Sequence, residues 1–266
     1  LLTIVAAAMA RDSDHRIKTM TLFAAQTDFV EAGELLLFIN ESQVAFLEDM
    51  MWDQGYLDAG QMVGAFQLLR SNDLMWSRLV YDYLLGQRQS MNDLMAWNAD
   101  QTRMPFRMHS EYLRHIFLGN ELATGHYKVK DRPIAISDIR APIFTVATEQ
   151  DHVAPWRSVY KINLLADADE VTFLLTSGGH NAGIVSEPGH GRRVYQIAGR
   201  TDQDRYIDPD TWQATTPKQQ GSWWPAWQAW LVTHSAEHQV SPPPLGAPDK
   251  GVYPMDDAPG LYVLQQ

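Results

Sequence analysis
Asp151, in the stretch EQDHVAPW, and His180, in SGGHNAG, are the two residues whose types and surroundings are best suited to chemistry. An aspartate beside a histidine fixes the imidazole tautomer and stabilises the imidazolium formed when the ring takes a proton. Each follows a short apolar run of strand character: IFTVAT, residues 143–148, leads into Glu149-Gln150-Asp151-His152, and VTFLL, residues 171–175, leads into Gly178-Gly179-His180. If those strands are parallel neighbours, the loops after them open at the same carboxyl edge and the two side chains meet there. The plain alternative for His180 is a histidine that caps a strand end. His152 adjoins the acid, but successive residues of an extended segment point to opposite sides, so it is the weaker candidate.

The elements that must position this pair follow from periodicity. Residues 1–10, LLTIVAAAMA, read as a buried helix, and residues 17–25, IKTMTLFAA, as a strand. From about Gly33 to Asn120 the apolar residues recur at i, i+3 and i+4 through ESQVAFLEDMMWDQG, MVGAFQLLRSNDLMWSRLVYDYLLG and SEYLRHIFLGN, which predicts a helical block punctuated by Gly55, Gly86 and Pro105. Strand IFTVAT, a helix over Ser158–Leu165 and strand VTFLL come next. This order predicts an α/β fold with helices inserted between two of its strands. An acid and then a histidine, one strand apart, is the later part of the nucleophile–acid–histidine order of α/β-hydrolase-like folds, in which the nucleophile sits on a turn that opens a helix. LLTIVAAAMA is entered without an N-cap residue, which places the expected nucleophile just before Leu1 and reads as a chain cut inside that helix.

Five of the nine tryptophans, Trp212, Trp223, Trp224, Trp227 and Trp230, lie within residues 201–240. Trp223, Trp227 and Trp230 have helical spacing, so they predict a C-terminal helix packed on the core, with an aromatic ligand platform as the alternative. The stretch SPPPLGAPDKGVYPMDDAPG predicts an extended surface tail. The formal net charge of −11 argues against nucleic-acid and anionic-lipid partners. No cysteine is present, which rules out disulfides and thiolate metal sites within these residues. No apolar run approaches the ~18 residues of a membrane span. His234-Ser235-Ala236-Glu237-His238 matches the zinc pattern H-x-x-E-H, but it lies beside a proline-rich tail and lacks an evident third ligand. Three lesser signals are the sequon Asn40-Glu41-Ser42, Asp28 after the first strand as a helix cap or an active-site residue, and Trp156 as packing beside the pair or as an anchor for the next helix.

Over most of its length the chain resembles the C-terminal catalytic part of the class I polyhydroxyalkanoate synthases. The resemblance is carried by LLTIVAAAMA, TLFAAQTDF, ESQVAFLEDMMW, GAFQLLRSNDLMWS, DLMAWNAD, TRMPFRMHSEYLR, SDIRAPIFTVATEQDHVAPWRSVYKI, LLTSGGHNAGIVSEPG, GSWWPAWQAWL and APGLYVLQ. It implies an α/β-hydrolase-like fold with Asp151 and His180 as triad members. The family's cysteine, in a Gly-x-Cys-x-Gly-Gly box, would lie roughly five residues before Leu1. It further implies (R)-3-hydroxyacyl-CoA and the growing polyester chain as substrates, release of CoA, no cofactor, and a cytoplasmic enzyme on polyester granules. The expected organisation is a core helix and strand over 1–27, a helical cap over 28–126 with dimer contacts, a core with the acid, the histidine and the tryptophan-rich helix over 127–240, and a tail over 241–266. Without a cysteine these residues are expected to be inactive by themselves, and a non-catalytic granule-associated module is the competing reading.

Overall fold
The structure, a computed structural model, describes residues 1–57, 76, 79–87, 90, 93–99, 103–189 and 191–254. Much of MVGAFQLLRSNDLMWSRLVYDYLLG and the last twelve residues of the tail lie outside these. The chain divides into two compact units, residues 1–46 with 110–235 and residues 47–109 with 236–266. Residues 28–46 and 110–126 of the expected cap therefore belong to the first unit.

A five-stranded sheet runs through the first unit: β1 (Met20–Phe23), β2 (Ile143–Thr148), β3 (Glu170–Thr176), β4 (Val194–Thr201) and β5 (Lys218–Gln220), in that spatial order. β1, β2 and β3 are parallel. All six residues of β2 and all but the first of β3 are buried, as the apolar runs require of strands covered on both faces. Their register sets Ile143 against Val171 and Thr148 against Thr176, so the two strands end level and their loops start side by side. β4 and β5 are antiparallel additions. They were not legible as strands: VYQIAGRT contains Gly199 and Arg200, and KQQ has no apolar residue.

Helices cover both faces. Strand side chains alternate between faces. On one side Ala147, Phe173 and Leu175 pack with Trp156, Val159, Tyr160 and Trp212, from α5 (Trp156–Tyr160) and α8 (Pro209–Thr215). The helix expected over Ser158–Leu165 is in fact α5 followed by α6 (Ile162–Leu165). On the other side Phe144, Val146 and Leu174 pack with Trp223 and Trp230 of the segment that forms α9 (Trp224–Thr233). The tryptophan stripe thus packs on the core. Trp223 is 1% exposed and Trp230 is 8%, whereas Trp227 is only half-buried, its indole N–H donating to Thr21 Oγ1 at 3.1 Å. α1 (Leu2–Arg11) buries Thr3, Ala6 and Ala7 and has no side-chain cap. α2 (Glu41–Trp52) is capped by Asn40, whose side-chain oxygen accepts from the Gln43 N–H at 3.0 Å, so the sequon asparagine is a helix cap.

The second unit holds a π-helical turn at Leu79–Leu84, α3 (Asp93–Ala99) and most of α4 (Phe106–Glu111). Tyr56 bridges Pro105, the Phe106 N–H donates to Gly55 O at 2.8 Å, and the Arg103 guanidinium lies over the Tyr56 ring. In the tail, Ala247 and Val252 pair across a turn. No helix among the described residues is long and apolar enough to cross a membrane.

Candidate active site
The site is built from the two loops at the carboxyl ends of β2 and β3. Asp151 lies in a tight turn closed by its own N–H to Thr148 O at 3.3 Å. Its Oδ1 accepts the Val153 and Ala154 N–H groups at 2.9 and 2.8 Å, which locks the carboxylate plane against the backbone. Its Oδ2 accepts the Thr148 hydroxyl at 3.2 Å and faces His180 Nδ1 at 2.8 Å. The Asp151 side chain is fully buried, while that of His180 is 35% exposed. Burial pushes the Asp151 carboxyl up, but the His180 hydrogen bond, the Ala154 N–H, the His180 charge and the Val153 N–H together outweigh it and hold the group below its ordinary value.

Three features seat His180. The Glu149 N–H donates to Thr176 O at 2.8 Å and the Gln150 N–H to Gly178 O at 3.0 Å, so the two loops are tied by their backbones. Gly178 has φ of +104°, a conformation that side chains avoid. His180 itself is not on an open loop: it is the first residue of a short helix, α7 (His180–Ile184). Gly183, one turn on, lets that helix close on β2. A Cβ at Gly183 would come within 2.5 Å of Thr148 Cγ2. Thr148 therefore donates to Asp151 and abuts, at Gly183, the helix that His180 opens. Neither Thr148 nor Gly183 was visible as a site residue in the sequence, because their part depends on the approach of two distant elements; the glycine in HNAG was the available signal.

The remaining candidates have other partners. His152 is half-buried, and it is His180 that takes the Asp151 carboxylate. Asp28 shapes the loop after β1: its Oδ1 accepts from the Val30 N–H at 2.9 Å and the Asn120 amide at 3.4 Å and faces Lys161 Nζ at 3.6 Å, while its carbonyl accepts the Ser158 hydroxyl at 2.6 Å. Trp156 is 5% exposed and part of the core. The H-x-x-E-H pattern lies past α9, which ends at Thr233. Within it, His234 Nδ1 lies 2.8 Å from Trp230 O and Nε2 lies 3.4 Å from Glu170 Oε2, so both ring nitrogens face protein acceptors. Among the described residues no group of three or more His, Cys, Asp or Glu side chains could hold a metal ion.

Fold and site define an α/β protein with a mostly parallel sheet and a carboxylate–imidazole pair at its carboxyl edge. No family model matches the chain. Curated relatives do. It is 38% identical over 267 residues to "Poly(3-hydroxyalkanoate) polymerase subunit PhaC" of Rhizobium etli, covering 100% of this chain and 41% of that protein. It is 37% identical over 264 residues to the poly(3-hydroxyalkanoate) polymerase of Methylorubrum extorquens, covering 99% and 42%. It is 30% identical over 263 residues to the corresponding subunit of Cupriavidus necator, covering 97% and 44%. Over its whole length the chain is homologous to proteins named poly(3-hydroxyalkanoate) polymerase, and it spans about two fifths of the length of these relatives.

Proposed function
We propose that this chain is the acid- and histidine-bearing part of an acyltransferase with an α/β-hydrolase-like fold, which polymerises (R)-3-hydroxyacyl-CoA into polyester and releases CoA. The observation that carries the reading is the 2.8 Å contact between buried Asp151 and His180, on a chain whose whole length matches proteins named polymerases. The competing granule-associated module without catalysis has no comparable support.

The chemistry follows from the pair. With Nδ1 directed at Asp151, Nε2 is the nitrogen left for proton transfer. It takes the proton of a cysteine thiol contributed by the complete polymerase, and the thiolate attacks the acyl-CoA thioester. The imidazolium returns that proton to the departing CoA sulfur. In the next step His180 accepts the proton of a 3-hydroxyl, on the incoming monomer or the chain end, as that oxygen attacks the cysteine-bound acyl group; an ester forms, the acyl–sulfur bond breaks, and the imidazolium returns the proton to the freed cysteine sulfur. Asp151 orients the ring and balances its charge throughout. The wider setting under this reading is a cytoplasmic homodimer, in contact through its helical cap, on the surface of the polyester granule.

The test is release of CoA thiol from 3-hydroxybutyryl-CoA, followed with a chromogenic disulfide. The 266-residue chain, which has no cysteine, should release none, and the full-length polymerase carrying this sequence should be active. A full-length His180→Ala protein that ran at the parent rate would overturn the assignment.

A further inference from the structure
His180 opens a helix of only five residues, far too short to be stable by itself. A helix also leaves the carbonyls of its last turn without helical partners. In α7 those carbonyls are satisfied one by one. Asn181 O accepts the Val185 N–H at 3.0 Å. Ala182 O accepts Nη2 of Arg193, whose Nη1 reaches Ser177 O at 3.5 Å, on the strand side of the same loop. Gly183 O accepts the Trp223 indole N–H at 3.1 Å, and Ile184 O accepts the Trp224 indole N–H at 3.0 Å. Just past the helix, the Ser222 hydroxyl donates to Ser186 O and accepts the Trp224 N–H at 3.1 Å.

We infer that Arg193, Trp223 and Trp224 are positioning residues for His180: three side-chain donors, from the residue before β4 and the N-terminal end of α9, grip the carbonyl end of α7 and hold its first residue against Asp151. The adjacent tryptophans are then more than core filling. An indole offers one N–H on a rigid plane, and two neighbouring indoles aim two such donors at two successive carbonyls. The guanidinium adds a positive charge at the helix end where carbonyl dipoles accumulate. Gly183 lies between the grip and the site, with its carbonyl held by Trp223 and its Cα against the Thr148 side chain that also binds Asp151. A displacement of α7 is therefore felt at both members of the pair.

The inference rests on the proposed catalytic role of His180 only in its second arm. The first arm reads the Asp151–His180 contact by nitrogen-15 NMR of the histidine-labelled full-length polymerase carrying this sequence, as exchange of the His180 Nδ1 proton with water. Trp223→Phe with Trp224→Phe keeps both rings and removes both donors. It is expected to speed that exchange about tenfold, the worth of one or two hydrogen bonds. Trp227→Phe, whose N–H goes to Thr21 instead, is expected to leave it within about twofold. Should the double variant not fold, the single variants and Arg193→Met are read in the same way, with Arg193→Lys expected to restore slow exchange. Unchanged exchange in the folded donor variants, or equal acceleration in Trp227→Phe, would overturn the inference. In the second arm, the full-length polymerase with the donor substitutions should lose kcat with KM held. Accelerated proton exchange with kcat unchanged would uphold the positioning and count instead against His180 as the catalytic base.

Discussion
Asp151 can act as a partner to an imidazole because its two oxygens have separate duties. Oδ1 is held by two backbone N–H groups, and Oδ2 is left for Thr148 and His180. In the full-length polymerase, Asp151→Asn should therefore be severe, on the order of the ~10⁴-fold loss found when the acid of a serine-protease triad is neutralised, measured as CoA thiol release. His152→Ala should cost far less in the same assay, because its neighbour's carboxylate is already committed to His180. The same carboxylate has a thermodynamic signature. Its pKa is lower folded than unfolded, so its contribution to stability is complete above the unfolded aspartate range and is lost as pH falls toward the folded value. Glu170 behaves alike: burial pushes it up, but donors from Trp230 and Thr172 and the His234 charge hold it below its ordinary value. Denaturant midpoints measured from neutral pH downward should fall, and the fall should be shallower in Asp151→Asn. Asp151 and His180 were legible because each follows a long, unambiguous strand. Thr148 was not, since nothing in a one-dimensional pattern distinguishes it from any other strand-end threonine.

At the scale of elements, the site depends on how closely α7 approaches β2. Gly183→Ala would place a methyl 2.5 Å from Thr148 Cγ2, inside van der Waals contact. The helix must then back away, which should cost about 1–3 kcal/mol in a urea titration, the usual penalty of overpacking. The tryptophans allow a sharper comparison. Trp223→Ala should cost roughly 3–5 kcal/mol, as expected of a fully buried aromatic. Trp227→Ala should cost distinctly less, because its ring is only half-buried. Equal losses would show that burial does not rank these residues. Helical spacing revealed that the stripe packs on the core, but not which member is sealed: Trp223 is interior because it sits where the chain turns into α9, a property of the fold and not of the period. The strands IFTVAT and VTFLL were readable from composition alone. β4 and β5 were not, because an antiparallel strand at the rim of a sheet tolerates Gly199, Arg200 and Lys218, which mask the pattern.

For the whole molecule, the order strand, helical block, strand, helix, strand was readable from the alternation of periods; the described residues follow it, with an added short hairpin of Lys128–Val129 and Arg132–Pro133 before β2. The antiparallel end of the sheet was not readable, because Gly199, Arg200 and the wholly polar KQQ hide the strand period. Composition did set one further expectation. With a net charge of −11, the chain should show no retention on immobilised DNA at moderate salt, where weakly bound basic proteins are held.

The sheet also has a temporal consequence. Its strands lie side by side in the order in which they occur along the chain. Joining β2 to β3 closes the stretch 149–169, whereas joining β1 to β2 closes 24–142, about six times longer and roughly 1.5 kcal/mol more costly in chain entropy if both are treated as flexible loops. The β2–β3–β4 meeting is thus the cheaper one to make first. Both members of the acid–imidazole pair lie within it, so the chemistry-bearing corner can assemble before the first strand arrives to complete the edge.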